Sequence, residues 1–236
     1  MTDHYQALID SAKSRHSCRQ FAAKPVPDEI VSKILTYAAL TPSWSNTQPW
    51  RVDLVVGDAV TPLASALHDT ASTTIPNPDF AFPEKFPGEY RDRRRASGLA
   101  LYGALGIGKD DKAGAAAQML RNFSFFGAPQ AAIISTPADL GVYGAIDSGL
   151  YIQAFLTAAH SLGVSAVPQA SLASVADELR RHLDIPQDRR IVAGISFGWE
   201  DTTSPANQFR TERAPVEDSV VRHGRVAPAS TDQENQ

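Results

Sequence analysis

The sequence predicts a chain of mixed helix and strand folded as one large domain. Helix-period apolar faces recur along it, the clearest at Ile30, Val31, Ile34, Leu35, Ala38 and Ala39. Short apolar runs at 131–135 and 191–197 lack that period and read as strands. A length of 236 residues, 43% hydrophobic and 20% charged, is enough for a buried core and excludes disorder along the whole chain.

Residues 2–13 are expected to form a first helix. A second follows Pro27, with Asp28 and Glu29 complementing the dipole of its first turn, and Thr41-Pro42 stops it. Residues 50–56 read as a strand and 59–71 as a helix. Residues 75–88 carry prolines and phenylalanines without period, the pattern of a functional or mobile stretch. Further helices are expected from the Arg91 run to Leu105, and over 109–122, 146–162 and 174–183. A strand at 164–167 joins those at 131–135 and 191–197. The domain is expected to span 1–226, with an insertion near 75–127 and a polar, disordered tail at 227–236.

With 22 basic against 26 acidic residues, the net charge of −4 argues against a nucleic-acid or membrane-surface binder. Cys18 is the only cysteine, so neither an intrachain disulfide nor a thiolate metal cluster is expected. Residues 148–176 have no charged side chain and are long enough to span a bilayer, but Gln153, His160, Pro168 and Gln169 interrupt them. A helix followed by a strand explains them better. The opening residues do not resemble a signal peptide, and a cytoplasmic protein is expected.

Two short runs carry the chemistry. Arg15, His16, Ser17, Cys18 and Arg19 place two guanidiniums and a hydroxyl within one turn of chain. Such a pair suits a phosphate, where charge-assisted forked bonds are strongest, or else a basic turn closing a helix. His16 suits acid–base work or, more commonly, a structural or ligand-contacting imidazole, and Cys18 reads as a packing residue. The second run, residues 42–50, holds Pro42, Ser43, Trp44, Asn46 and Trp50. Trp44 can stack on a planar ligand while Asn46 meets its polar edge; the alternative is two core tryptophans flanking a polar turn. Gly103, Gly106 and Gly108 recur as in dinucleotide loops, but no strand–turn–helix unit surrounds them, so that reading is rejected. Arg91, Arg93, Arg94 and Arg95 read as a solvated helix face.

With these two runs, the segments 162–171, 194–201 and 207–213 complete a pattern that resembles the FMN-dependent nitroreductase family, in particular its branch acting on nitrobenzoates, nitrophenols and nitrobenzenes. The resemblance implies an α+β fold, a mixed and mainly antiparallel sheet flanked by helices, in an intertwined homodimer with FMN at the interface. It places Arg15, His16 and Ser17 at the phosphate and ribityl chain of FMN, joined by Arg213 and Arg210 from a C-terminal arm. Arg19 matches the basic residue beside N1 and O2 of the flavin. Pro42, Ser43, Trp44 and Asn46 match the segment reaching in from the other subunit, and Pro168, Gln169, Ala170 and Ser171 match the loop beside the ring. Ala170 stands where the enteric type has glutamate, which leaves a backbone role alone.

What the resemblance implies for activity is a ping-pong cycle: NADPH or NADH reduces FMN, then a nitroaromatic takes electrons two at a time to nitroso and hydroxylamine products. Arg19 is the expected catalytic residue, no metal is expected, and Phe123, Phe125 and Phe126 are candidates for a lid or for the core. Reductive dehalogenation, with Glu89 and Tyr90 gripping the substrate, another flavin-reductase activity, and a flavin-binding module without turnover are the alternatives.

Overall fold

In the computed structural model, which describes residues 3–224, four strands form one antiparallel sheet. They are β1 (Arg51–Val55), β2 (Gln130–Pro137), β3 (Ser165–Gln169) and β4 (Arg189–Gly198), in the order β1-β2-β4-β3. The sheet becomes mixed only through a parallel bridge from Ser17 to Ala166 on β3. The tail expected at 227–236 lies outside the described residues.

Side chains of β2 alternate between two cores, as the pleat requires. Ala131 and Ile133 pack with Leu63, Leu67, Phe125 and Leu179, whereas Ala132 and Ile134 pack with Ile34, Phe155 and Phe197. A central strand covered on both faces keeps apolar residues at successive positions, which is why this segment shows no polar alternation.

Helices supply both covers. They are α1 (Asp3–Ser14), α2 (Asp28–Ala38), α3 (Val60–Thr73), α4 (Gly88–Ala104), α5 (Lys112–Leu120), α6 (Gly141–Ser161) and α7 (Ala176–Leu183). Side chains of α2 and α6 enter the core on one face of the sheet, and those of α3 and α7 the core on the other. α6 begins earlier than its apolar run suggested. A Cβ at Gly144 would lie 2.3 Å from Thr136 Oγ1, so this close approach of α6 to β2 requires glycine. No helix among the described residues is long and apolar enough to cross a membrane. Gly103 lies inside α4, without a strand before it, so the spaced glycines form no dinucleotide loop.

Between α3 and α4 the chain has no helix or strand, as its prolines predict, yet it is firmly tied down. Asn77 N–H donates to Ser174 O at 2.8 Å. The Asp79 carboxylate, 7% exposed, accepts from Arg180 Nη2 at 2.5 Å and from Ile191 N–H at 2.7 Å. Of the two roles open to them, Phe123, Phe125 and Phe126 fill the core role, at 7%, 0% and 2% exposed. Phe125 and Phe126 adopt φ of 55° and 54°, left-handed values that are strained for bulky residues. Phe126 N–H donates to Arg121 O at 2.9 Å, and Arg121 Nη2 in turn binds Gln20 Oε1, which together hold this turn closed.

Candidate functional site

The Arg15–Arg19 segment leaves α1 in extended form. Ser17 bridges Ala166, and Cys18 N–H donates to Ala166 O at 3.3 Å. Extended backbone sends successive side chains to opposite sides, so Cys18 enters the core while Ser17 and Arg19 face a cavity. Burial, with Glu200 adding to it, pushes the Cys18 thiol up to about 12, which leaves it a packing group.

The chain after β4 returns to this segment through Asn207, 1% exposed. Its Oδ1 accepts from Arg19 N–H at 2.7 Å, and its Nδ2 donates to Gln20 O at 2.8 Å and Asp201 O at 2.9 Å. That clip lays Phe209, Arg210, Thr211 and Arg213 over Arg15 and Ser17, enclosing a cavity of about 550 Å³. The Arg19 guanidinium stands 5.4 Å from the centre of the Phe209 ring.

The cavity is strongly cationic. Arg19, Arg210 and Arg213 donate to backbone carbonyls and a hydroxyl, and neither these three nor Arg15 has a carboxylate partner among the described residues. Burial, then the Arg213 charge, draws the Arg15 pKa below its ordinary value; burial does the same to Arg19. Guanidinium stays charged in proteins. The convergence is therefore stored repulsion, which a multivalent anion relieves.

His16 forms part of the same wall. Its Nε2 lies 3.0 Å from Glu200 Oε1, while Glu200 Oε2 accepts from the Ser165 hydroxyl at 3.2 Å. Glu200 thus fixes His16 against the end of β3. If it acts through His16, Glu200→Gln weakens anion binding in the parent and has no effect in a His16→Phe background. Equal losses in both backgrounds, read by titration, would assign Glu200 a merely structural role.

Beyond Arg19 opens a second cavity of about 250 Å³, lined by Pro168, Gln169, Ala170 and Ser171 from the end of β3, with Tyr102, Gln118, Asn122 and Phe126 opposite. Arg19 borders both cavities. The Gln169 amide is engaged inward: Ser196 Oγ meets its Oε1, and its Nε2 donates to Asn122 O at 2.9 Å. Gln169 and Ala170 therefore offer a ligand backbone rather than side-chain chemistry.

Pro42, Ser43, Trp44 and Asn46 join neither cavity in this chain. Trp44 rests on Tyr143, ring centres 4.8 Å apart, and its N–H points between the oxygens of buried Asp147, 3.2 Å from each. Ser45, Asn46 and Gln48 hold left-handed φ of 49°, 58° and 45°, an unusual concentration of strain in a short loop. Of the two tryptophans, only Trp50 packs on the core, against Tyr151.

The arginine run on α4 is a solvated face, with Arg91 paired to Asp92 at 2.9 Å and Arg93 to Glu89 at 2.8 Å. Sequence reasoning missed Tyr102, Gln118, Asn122, Phe209 and Thr211 as cavity residues. Gln118, polar in an α5 otherwise rich in alanine, was the one visible signal. No cluster of three or more metal-ligating side chains exists among the described residues.

A 4-nitrobenzoate reductase of Pseudomonas putida is 32% identical over 213 residues, covering 90% of this chain and 92% of the relative. The nitroreductase NfnB of Mycolicibacterium smegmatis is 34% identical over 219 residues, covering 92% and 93%. The solved structure of FMN-dependent NfnB from Mycobacterium smegmatis, in complex with NADPH, superposes with a TM-score of 0.89 at 34% identity, covering 94% of this chain and 100% of that one. The family model described as the Nitroreductase family matches residues 12–199, and the chain belongs to that family.

Proposed function

We propose that this protein is an FMN-dependent, NADPH-consuming nitroreductase that takes nitroaromatic compounds to nitroso and then hydroxylamine products. The observation that carries the reading is the meeting of Arg15, Arg19, Arg210 and Arg213 in one cavity without carboxylate partners among the described residues. This donor set fits FMN: Arg15 and Arg213 would hold the phosphate, Ser17 the ribityl chain, and Arg19 the electron-rich ring edge. NADPH as donor and nitroaromatics as acceptors accord with the names of the relatives.

When bound, FMN supplies the two-electron relay between NADPH and the nitro group. The chain supplies binding, orientation and charge. Arg19, largely withdrawn from water, stabilises negative charge that builds on the ring edge beside it. Among the described residues the wall of the smaller cavity carries no carboxylate or imidazole, which leaves water, the flavin or the Tyr102 hydroxyl to deliver protons. Arg19→Ala is expected to slow reduction by NADPH by about 100-fold, the usual loss on removing one charge-stabilising donor. An unchanged rate in stopped-flow measurements with FMN bound would rule that role out.

Assembly as a homodimer is part of this reading. Val142, Tyr143, Ile146 and Leu150 leave an apolar row exposed on α6, with Leu40 and Trp44 beside it. A second copy covering that row would carry the strained 43–48 loop toward its partner's cavity. A cytoplasmic setting accords with the single, unpaired, buried cysteine. Glu89, which the dehalogenase alternative needs to grip its substrate, is paired with Arg93 on an exposed helix face.

The test is spectroscopic. Purified protein should be yellow, bleach with NADPH without oxygen, and regain its colour with 4-nitrobenzoate; parallel double-reciprocal plots would identify ping-pong kinetics. Bound FMN that NADPH does not bleach would indicate a binding module. A colourless protein that FMN cannot reconstitute overturns the assignment.

A further inference from the structure

Gln118 lies on α5, one helical turn before Asn122, and is 7% exposed. It lines the smaller cavity together with Arg19, Ala170 and Ser171. Its Nε2 is buried and has no hydrogen-bond partner among the described residues. Neighbouring amides differ. Gln169 binds Ser196 and Asn122, and Gln130 exchanges two hydrogen bonds with the backbone of Val26. A buried donor without an acceptor is unfavourable, and packing alone would be served equally well by an apolar side chain of similar length such as methionine. The amide at 118 therefore calls for a partner that arrives with a ligand.

We propose that Gln118 hydrogen-bonds the carbonyl-bearing edge of the FMN ring, beside the contact made by Arg19; this rests on the FMN reading above. The flavin pyrimidine edge offers a carbonyl, an N–H and a second carbonyl in sequence. A carboxamide, which donates and accepts side by side, complements that edge in a way that a second cation would not. Arg19 and Gln118 line the same cavity, so a ring edge held in it has both side chains as its neighbours. Gln118 thereby tunes ring affinity and potential from α5, in a segment to which the sequence assigned no flavin contact.

The experiment compares FMN-free wild type, Q118M and Arg213→Ala by titration with FMN and with riboflavin, which lacks the phosphate, and measures midpoint potentials of the FMN-loaded forms. Q118M should bind both flavins about tenfold more weakly, the scale of one lost hydrogen bond. Its potential should become more negative, while the melting temperature of its flavin-free form is retained. Arg213→Ala should lose affinity for FMN and keep its affinity for riboflavin. Should Q118M fail to fold, Q118L provides the same readout with a branched side chain. Wild-type flavin affinities and potential in the folded variant would overturn the inference, and a raised KM for 4-nitrobenzoate alone would move Gln118 to the acceptor instead. Wild-type protein that binds no FMN would defeat the underlying reading, a distinct result.

Discussion

Replacing Asp79 by alanine should lower the unfolding free energy by about 3–5 kcal/mol, the range for removing one partner of a buried ion pair. Arg180, 8% exposed, then keeps its charge in the interior with the partner at 2.5 Å gone. Asp177 offers little compensation, being 3.6 Å away and largely exposed. Ile191 N–H loses its acceptor as well, at the start of the central strand β4. Urea denaturation measures the effect, and a loss below about 1 kcal/mol would show that the pair is solvent-screened in practice. Asp79→Leu combined with Arg180→Met should recover much of the loss, because it removes the stranded charge instead of creating one. The consequence reaches the site: the segment held by Asp79 leads into α4, whose Leu101 and Tyr102 line the smaller cavity.

Asn207→Ala should weaken FMN binding by about 100-fold and destabilise the fold by about 2–4 kcal/mol, since it strands two or more buried polar groups. Arg19 N–H loses its acceptor, and Gln20 O and Asp201 O lose their donor. The same change releases the arm that carries Arg210 and Arg213 over Arg15, so affinity and stability should fall together. Flavin fluorescence titration beside urea denaturation separates the two. Weaker folding with wild-type FMN affinity would mean that Asn207 does not position the arm.

Much of the fold was legible because its signals are local. The period of α2, the prolines after α3 and the apolar runs of β2 and β4 each report their own element. Element starts were less legible. α6 reaches back to Gly141 because Gly144 can approach Thr136, a contact formed only once β2 is in place. The arginines of the site were visible as types and spacing, but their convergence depends on Asn207, which looks like any loop amide in sequence. Residues 75–127 were the least legible. Their contributions to the cavity, Tyr102, Gln118 and Asn122, come from α4, α5 and the turn after α5, whose relative placement depends on tertiary contacts such as Asp79–Arg180 and Asn122–Gln169. The choice between lid and core stayed open for Phe125 and Phe126 for the same reason: a left-handed turn carries no signature when built from phenylalanine.

The parallel bridge between Ser17 and Ala166 also bears on self-association. Edge strands present unpaired N–H and C=O groups to other molecules, and natural sheets cover or charge such edges. β1 carries the Arg51–Asp53 pair on its edge, whereas β3 is covered by the segment that gathers the cations of the larger cavity. Occupancy of the cavity and protection of that edge are thus linked through one piece of chain. Stripping the ligand should loosen the segment and expose β3, so the flavin-free protein should scatter more light on warming than the loaded one, well below the temperature at which either unfolds.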